Sequence, residues 1–551
     1  MLIYKAYGVS YLHSLIFFGL ILLIVVFPGL TIFSWLKITT SSLQTMSLAI
    51  SLGFAASIIV AKFSRWLRIE ALFFLWLLFA FLWCLRLVFR KPLSFSSAKL
   101  SQVFLIGVSA LFLSFFIILL LDNFLMGRFL PTGEVALRMR FYDGFLRIAV
   151  IHELSHSLPP QLPFASGYRL SYHYGMDLFF SLFIRYGHLD VFDVCHRFGL
   201  TFLALLLFLN LSIFLKNFLN SDNLTLFGSF YVIFGSGGLA YLFCWLFKAP
   251  FTGNIFFNFY FHDLISLNSF LPALVILLAA LNSFLWYERE AKVGWLVATS
   301  LFLATLFEFK VFLIIPVALS LLLSTSIQII QNRKKQLIPL TMLTGFFSLP
   351  LFLTAVLSSQ DIMGYRFSLK PIDWIIHVLR ELRLTSWQET WSKLMMGKAQ
   401  EPSSYLIGLA ATLIFLIGAF GFNILAWPRA LKSIFDSSGF KSFLASFSFL
   451  SIAYFFLFNL YLGRLTRHLL NIYVFYAGLI GLSLFFLLYL KETLNHQKAL
   501  KRVIILTLIG LLSLPNTVFY TISRIKRPEI RLYSKNFVEA ANWVRKTTSP
   551  E

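Results

Sequence analysis

The sequence predicts an all-α, polytopic helical membrane protein, and three observations predict it. The chain is 59% hydrophobic and 13% charged, whereas soluble domains are about 45–50% apolar and about 25% charged. Its mean hydropathy is +0.83. Apolar runs of roughly 20 residues, the length that crosses a bilayer as helix, recur along the chain. Helices satisfy their own backbone in lipid, which open strands cannot do. The same composition excludes other classes. Cys84, Cys195 and Cys244 each lie in or beside an apolar stretch, so neither a disulfide framework nor a cysteine metal site is expected. The 46 basic and 23 acidic residues give a net charge of +23. In a membrane chain this reads as positive-inside bias and affinity for anionic lipid. There is no basic soluble domain, so nucleic acid is not an expected partner. The first apolar run lacks a small-residue cleavage site and reads as an anchor.

Spans are expected at 12–36, 42–61, 69–89, 101–121, 198–216, 224–247 and 268–288. The stretch 294–328 reads as two spans interrupted near Glu308–Lys310, followed by 337–358, 404–427, 443–462, 469–490 and 502–522. That is about fourteen spans. They divide the chain into N-terminal helices (1–121), a first large outer loop (122–197), a membrane core (198–522) with outer loops 248–268 and 358–403, and an outer tail (523–551). Loops of this length in compact proteins are usually functional or disordered; here Trp, Tyr, Phe and Pro favour ordered structure.

Sidedness follows from Lys and Arg in short loops. Arg289 and Lys292, then Arg333–Lys335, then Arg429, Lys432 and Lys441, then Lys491, Lys498, Lys501 and Arg502 all fall on one side. That side is the cytoplasmic one, and it puts the long loops and the tail outside. The count requires YGMDLFFSLFIRYG, 174–187, to lie along the surface with Asp177 and Arg185 on its polar face. It also puts Lys62, Arg65 and Arg68 outside, against the rule. Arg86, inside the 69–89 run, is either a span edge or a paired intramembrane charge.

The first outer loop carries the chemistry. Phe145–Leu154 reads as an interfacial helix ended by Pro159-Pro160. Within it HELSH matches the zinc-protease pattern, with His152 and His156 one turn apart as ligands and Glu153 to activate water. That reading needs a third ligand, for which His173, Asp177, His188 and Asp190 are available downstream. The wider pattern points elsewhere. FYDGF with Asp143 is followed by LPPQLP, by SYHYGMDL with Tyr172 and His173, and by RYGHLDVFDVCHRFGL with Gly187, Phe192 and Arg197. Then come His262-Asp263 in FHDLISL, Lys310 in LFEFKVFLIIP, Arg467 in RLTRHLLNIYVF, and EAANWVRKTTSP near the end. In that order these pieces resemble the membrane glycosyltransferases of the C-type fold, the superfamily of protein O-mannosyltransferases and aminoarabinose transferases. Glu308 and Val311 depart from the family's Thr-Lys-Gly-Pro element, and His468 replaces a Tyr. The tail looks like the start of the family's outer C-terminal domain, cut short.

The resemblance implies transfer of a sugar from a polyprenyl-phosphate donor to a lipid, glycan or protein acceptor at the outer membrane boundary. Membrane lipids are the other expected partners, and a bacterial or archaeal plasma membrane the expected location. A carboxylate must take the acceptor's proton, and cations must stabilise the departing lipid phosphate. By family position Asp143 is the base, with Glu153 second. Tyr172, His173, His262 and Asp263 bind substrate, and Lys310 and Arg467 clamp the phosphate. No metal site is expected outside the HELSH reading, and a divalent cation at Asp263 is the one candidate cofactor. Structural readings stand beside these: Lys310 snorkelling at a helix end, Asp143 capping a helix, Tyr172 and His173 anchoring at the interface. The loop Gln360–Ser403 reads as one or two amphipathic surface helices, a lid or an acceptor wall. A non-enzymatic lipid or glycan transporter is the third class; transporters often carry inverted repeats, and the sequence shows none.

Overall fold

A computed structural model describes residues 10–38, 40–90, 107, 126–129, 132, 134–138, 142–163, 165–170, 173–235, 238–249, 269–332, 336–358, 365–369, 379–380, 382–395, 402–462, 472–515, 517–518, 522, 530–536, 539–540 and 543. The chain forms two compact units. The first comprises Met1–Leu209, Ile265–Val275 and Thr521–Glu551; the second comprises Asn210–Leu264 and Ile276–Tyr520.

The first unit opens with α1 (Tyr11–Trp35, with a π turn at Leu22–Val26), α2 (Ser42–Trp66) and α3 (Ala71–Arg90). Small residues let α1 and α2 cross in contact. A Cβ on Gly29 would sit 1.8 Å from the Ala49 carbonyl oxygen, and one on Gly53 1.8 Å from that of Val25. Close backbone approach of this kind is how apolar helices gain packing where lipid supplies no hydrophobic drive. Next come β1 (Arg128–Phe129), β2 (Val135–Arg138), α4 (Tyr142–His156), β3 (Gln161–Leu162), β4 (Ala165–Arg169) and α5 (Gly175–Gly187). The span α6 (Asp193–Leu219) begins in a π turn and leads into the second unit.

The second unit holds the bent pair α7 (Asp222–Gly235) and α8 (Ala240–Leu246), then α9 (Phe270–Glu290), whose first turns belong to the first unit. It continues with α10 (Val293–Phe309), α11 (Val311–Ile330), α12 (Leu337–Ser358), β5 (Tyr365–Leu369), α13 (Thr385–Met395) and α14 (Pro402–Phe420). A 3-10 turn leads to α15 (Trp427–Ile434), then α16 (Gly439–Leu457), β6 (Phe458–Leu462), α17 (Ile472–Asn495) and α18 (Ala499–Ser513). β7 (Ile530–Tyr533) returns to the first unit.

The protein is a multi-pass integral membrane protein. Among the described residues ten helices are long and apolar enough to span, or eleven with the bent pair. The expected fourteen differ for plain reasons. The 101–121 run lies almost entirely outside the described residues, and α10 and α18 are only 17 and 15 residues long. The 294–328 stretch does break into two helices, at Lys310. Residues 458–462, expected as the end of a span, form a strand paired with Tyr365–Leu369. Arg86 lies in the last turns of α3, exposed, its guanidinium 5.2 Å from the Trp83 ring. The 379–395 part of the 360–403 loop includes α13, and the rest of the expected amphipathic helices lies outside the described residues apart from β5.

One expectation is corrected. Residues 174–187 do form a helix, but it does not lie on a surface. Gly175–Phe183 are all buried, packed on α4, α2 and α1. Its polar position Asp177 faces the protein interior, because a cation on α4 meets it there.

Candidate active site

The site of the first unit is built on α4 and α5. Asp143 is the second residue of α4, and Arg147 stands one turn further on. Arg147 Nη1 donates to both carboxylate oxygens of Asp177 on α5, at 3.1 and 2.8 Å. Its Nη2 donates to the Ser269 hydroxyl at 3.3 Å, and His173 Nε2 lies 3.0 Å from that same hydroxyl. All four residues are buried. Opposite charges out of water are held by hydrogen bonds of this kind or not at all. One network thus ties the start of α4 to α5, to the turn before it, and to the residue that opens α9.

The other end of α4 is fixed as firmly. The last carbonyls of a helix have no partner within it. Here Arg65 of α2 donates to the Leu154 carbonyl and Arg185 of α5 to that of Ser155. Arg185 also pairs with Glu70 at 2.7 Å. Two guanidinium groups at a helix C-terminus complement its dipole. Lys62, likewise buried, has its ammonium 5.5 Å from the Tyr174 ring. Of the three cations at odds with the charge count, Lys62 and Arg65 are buried and Arg68 is exposed. Lys62 and Arg65 do not sit in a free loop; they are part of the packing around α4. Burial, reinforced by the Glu70 carboxylate and opposed by Arg185, raises the Tyr186 phenol above its ordinary range.

The HELSH residues share the C-terminal half of α4. His152 and His156 are exposed, with ring centroids 5.0 Å apart, as their spacing requires. Glu153 serves the local backbone. Its Oε1 accepts from the Ser157 hydroxyl at 2.7 Å and from the Gln161 amide at 3.4 Å, holding the turn through Pro159-Pro160. The candidate third ligands are engaged elsewhere. His173 and Asp177 belong to the Arg147 network, and Asp190 accepts from the Phe192 and Asp193 amides at the start of α6. His188 caps α5 in the left-handed conformation. No group of three or more His, Cys, Asp or Glu among the described residues is placed to hold a metal ion.

Where α6 begins, Asp193 accepts from Arg197 and lies 2.9 Å from His13 Nδ1, and Arg197 donates to the Met126 carbonyl at 2.8 Å. Arg197, conspicuous for its spacing with Gly187 and Phe192, thereby ties the first loop to this span.

Lys310 occupies the break between α10 and α11 in the second unit, buried, with φ −146° and ψ 89°. Its ammonium lies 4.2 Å from the centre of the Tyr473 ring. Glu308, two residues earlier, is also buried. The structure therefore places Asp143, Glu153 and His173 in the first unit and Lys310 in the second. Tyr172, His262, Asp263 and Arg467 lie outside the described residues, as does the side chain of Asp143.

Arg147, Ser269 and Tyr473 carry no sequence signal as a set. Arg147 alone is conspicuous, as a cation one turn from Asp143 in an apolar helix. Asp177, expected on a polar face, is instead a buried ion-pair partner.

No family model matches the chain, and no curated protein matches it. Among solved structures it is similar to the archaeal oligosaccharyltransferase AglB from Archaeoglobus fulgidus in complex with an inhibitory peptide and a dolichol-phosphate. The TM-score is 0.49 and the identity 10%, over 81% of this chain and 58% of that one. The chain thus spans less than two thirds of that protein's length.

Proposed function

We propose that this chain is a membrane glycosyltransferase that moves a sugar from a polyprenyl-phosphate donor to an acceptor on the extracytoplasmic side. The observation that carries the reading is the double anchoring of α4. The acid of FYDGF stands in its first turn, the Arg147 network holds that end, and two arginines hold the other. A general base must be kept within hydrogen-bond reach of the hydroxyl it deprotonates, and helices fix such a group better than loops do. Asp143 takes the acceptor's proton as the acceptor oxygen attacks the anomeric carbon. The bond from that carbon to the phosphate oxygen breaks, and the lipid phosphate leaves with the electron pair. Lys310, beside the N-terminus of α11, and Arg467 stabilise the charge it gains. By family position, Tyr172, His173, His262 and Asp263 bind the substrates.

Asp143→Asn tests this directly. Purified protein in nanodiscs should stay folded and lose transfer of a radiolabelled sugar from a polyprenyl-phosphate donor, while His156→Ala should keep it. Transfer at wild-type rate in Asp143→Asn would remove the base assignment. Stoichiometric zinc that disappears with His156→Ala would favour metalloproteolysis instead.

A further inference from the structure

The second unit carries a cavity that the reaction above does not use, walled by polar groups together with Phe284 and Leu337. It has a volume of about 450 Å³, and its wall includes Tyr287, Glu288, Gln328, Gln336, Ser438 and Gly439. Each sits at a helix end. Tyr287 and Glu288 belong to the last turn of α9 and Gln328 to that of α11; Gln336 precedes α12, and Ser438 and Gly439 open α16. All four helices are long and apolar enough to span. Four spans ending around one cavity set it at the depth of lipid headgroups rather than of hydrocarbon.

Its chemistry is that of an acceptor. Glu288 is the charged residue of the wall. Its Oε2 accepts from the Ser438 hydroxyl at 2.9 Å and its Oε1 from the Phe440 amide at 3.0 Å. A carboxylate offers about four acceptor positions, so two bonds do not saturate it. Gln328 donates its Nε2 to the Ser437 carbonyl at 3.3 Å, and its amide oxygen is a further acceptor. The Tyr287 hydroxyl donates to the Gln336 carbonyl at 3.1 Å. Two cations lie just outside this wall: Arg289 follows Glu288, and Lys441, two residues after Gly439, has its ammonium 3.9 Å from Asp436, which also accepts from the Ser438 amide at 3.0 Å. Back along α11 from Gln328, toward the hydrocarbon, Leu322 and Leu323 are 55% and 40% exposed.

We propose that this cavity binds the headgroup of phosphatidylethanolamine. A primary ammonium supplies three donors for Glu288 and Gln328, the phosphodiester behind it meets Arg289 and Lys441, and the acyl chains lie along the apolar flank. An anionic headgroup would bring negative charge to Glu288. A choline headgroup has no N–H to give. This inference rests on the membrane fold alone and not on the glycosyltransferase reading.

Native mass spectrometry of delipidated full-length protein tests it, with phosphatidylethanolamine, phosphatidylcholine and phosphatidylglycerol of matched chains, and with water-soluble glycerophosphoethanolamine. Wild type should retain one phosphatidylethanolamine with about tenfold preference over the other two lipids. Glu288→Gln keeps groups able to hold Ser438 and Phe440 and should lose that preference with unchanged melting. Gln328→Met leaves the Glu288 contacts intact and should weaken it as well. Equal retention of the three lipids, or an unchanged preference in both variants, overturns the proposal. Glycerophosphoethanolamine binding as tightly as the lipid overturns the lipid as the source of the headgroup.

Discussion

Asp177 is held in the interior of the first unit by Arg147, and that dependence can be measured. Removing one partner of a buried pair strands the other, at about 3–5 kcal/mol. Asp177→Ala should therefore destabilise the purified protein by that order in a denaturant or thermal melt. Asp177→Asn keeps an acceptor for the guanidinium and should cost less. Replacing both charges, as Arg147→Met with Asp177→Leu, should recover most of the loss, because well-packed apolar side chains serve as well as a buried ion pair. Failure of the double replacement to recover would mean that Arg147 acts through groups other than Asp177. Lys310 makes a second residue-scale case. Its ammonium lies over Tyr473, a contact worth about 0.5–2 kcal/mol. Tyr473→Phe keeps the ring face and Tyr473→Leu does not. Under the glycosyltransferase reading, Tyr473→Leu should raise the donor KM roughly threefold or more. Equal KM in both variants would show that the ring does not place Lys310.

At the scale of elements, hydropathy is the dependable signal. Runs such as 42–61, 268–288 and 469–490 correspond to α2, α9 and α17 within a few residues, because each needs nothing but its own length and composition. The break at Lys310 is legible for the same reason, since Glu308 and Lys310 interrupt an otherwise apolar stretch. Three features are not legible. Strands of two to five residues pair across long stretches of chain, as β2 does with β7, and carry no local period. Helix α5 has a polar position at the right spacing for a surface, but periodicity cannot say that Arg147, 30 residues away, awaits it inside. Lys62 and Arg65 look like misplaced loop charges because a count of Lys and Arg takes no account of burial. The arginine clamp on α4 makes its own prediction. A charged hydrogen bond to an otherwise orphaned carbonyl is worth about 1.5–3 kcal/mol. Arg65→Ala should therefore speed amide hydrogen exchange in the last turn of α4, and more so when combined with Arg185→Ala. Exchange unchanged in the double variant would mean that other contacts set the position of α4.

For the whole molecule the open quantity is sidedness, and two strand pairings bear on it, each within its own unit. β7 from the tail pairs with β2 from the first loop, which brings 530–533 and 135–138 side by side in the first unit. β5 from the 358–403 loop pairs with β6, directly after α16. The charge count assigns the first loop and the tail to one side without any knowledge of these pairs, and it places the 358–403 loop opposite the Lys432 and Lys441 end of α16. Backbone pairing and positive-inside counting are independent physical constraints, so their agreement is informative. Cys84, Cys195 and Cys244 are all buried, which permits single-cysteine labelling on the natural background. Arg169→Cys and Lys535→Cys, both at exposed positions, should react with an impermeant maleimide in intact cells. Lys292→Cys and Lys498→Cys, at the ends rich in Lys and Arg, should react only after permeabilisation. If Arg169→Cys and Lys535→Cys label from opposite sides, the β2–β7 pairing is wrong. If both label only after permeabilisation, Asp143 faces the cytoplasm, and an outer-face transferase acting through this loop is ruled out.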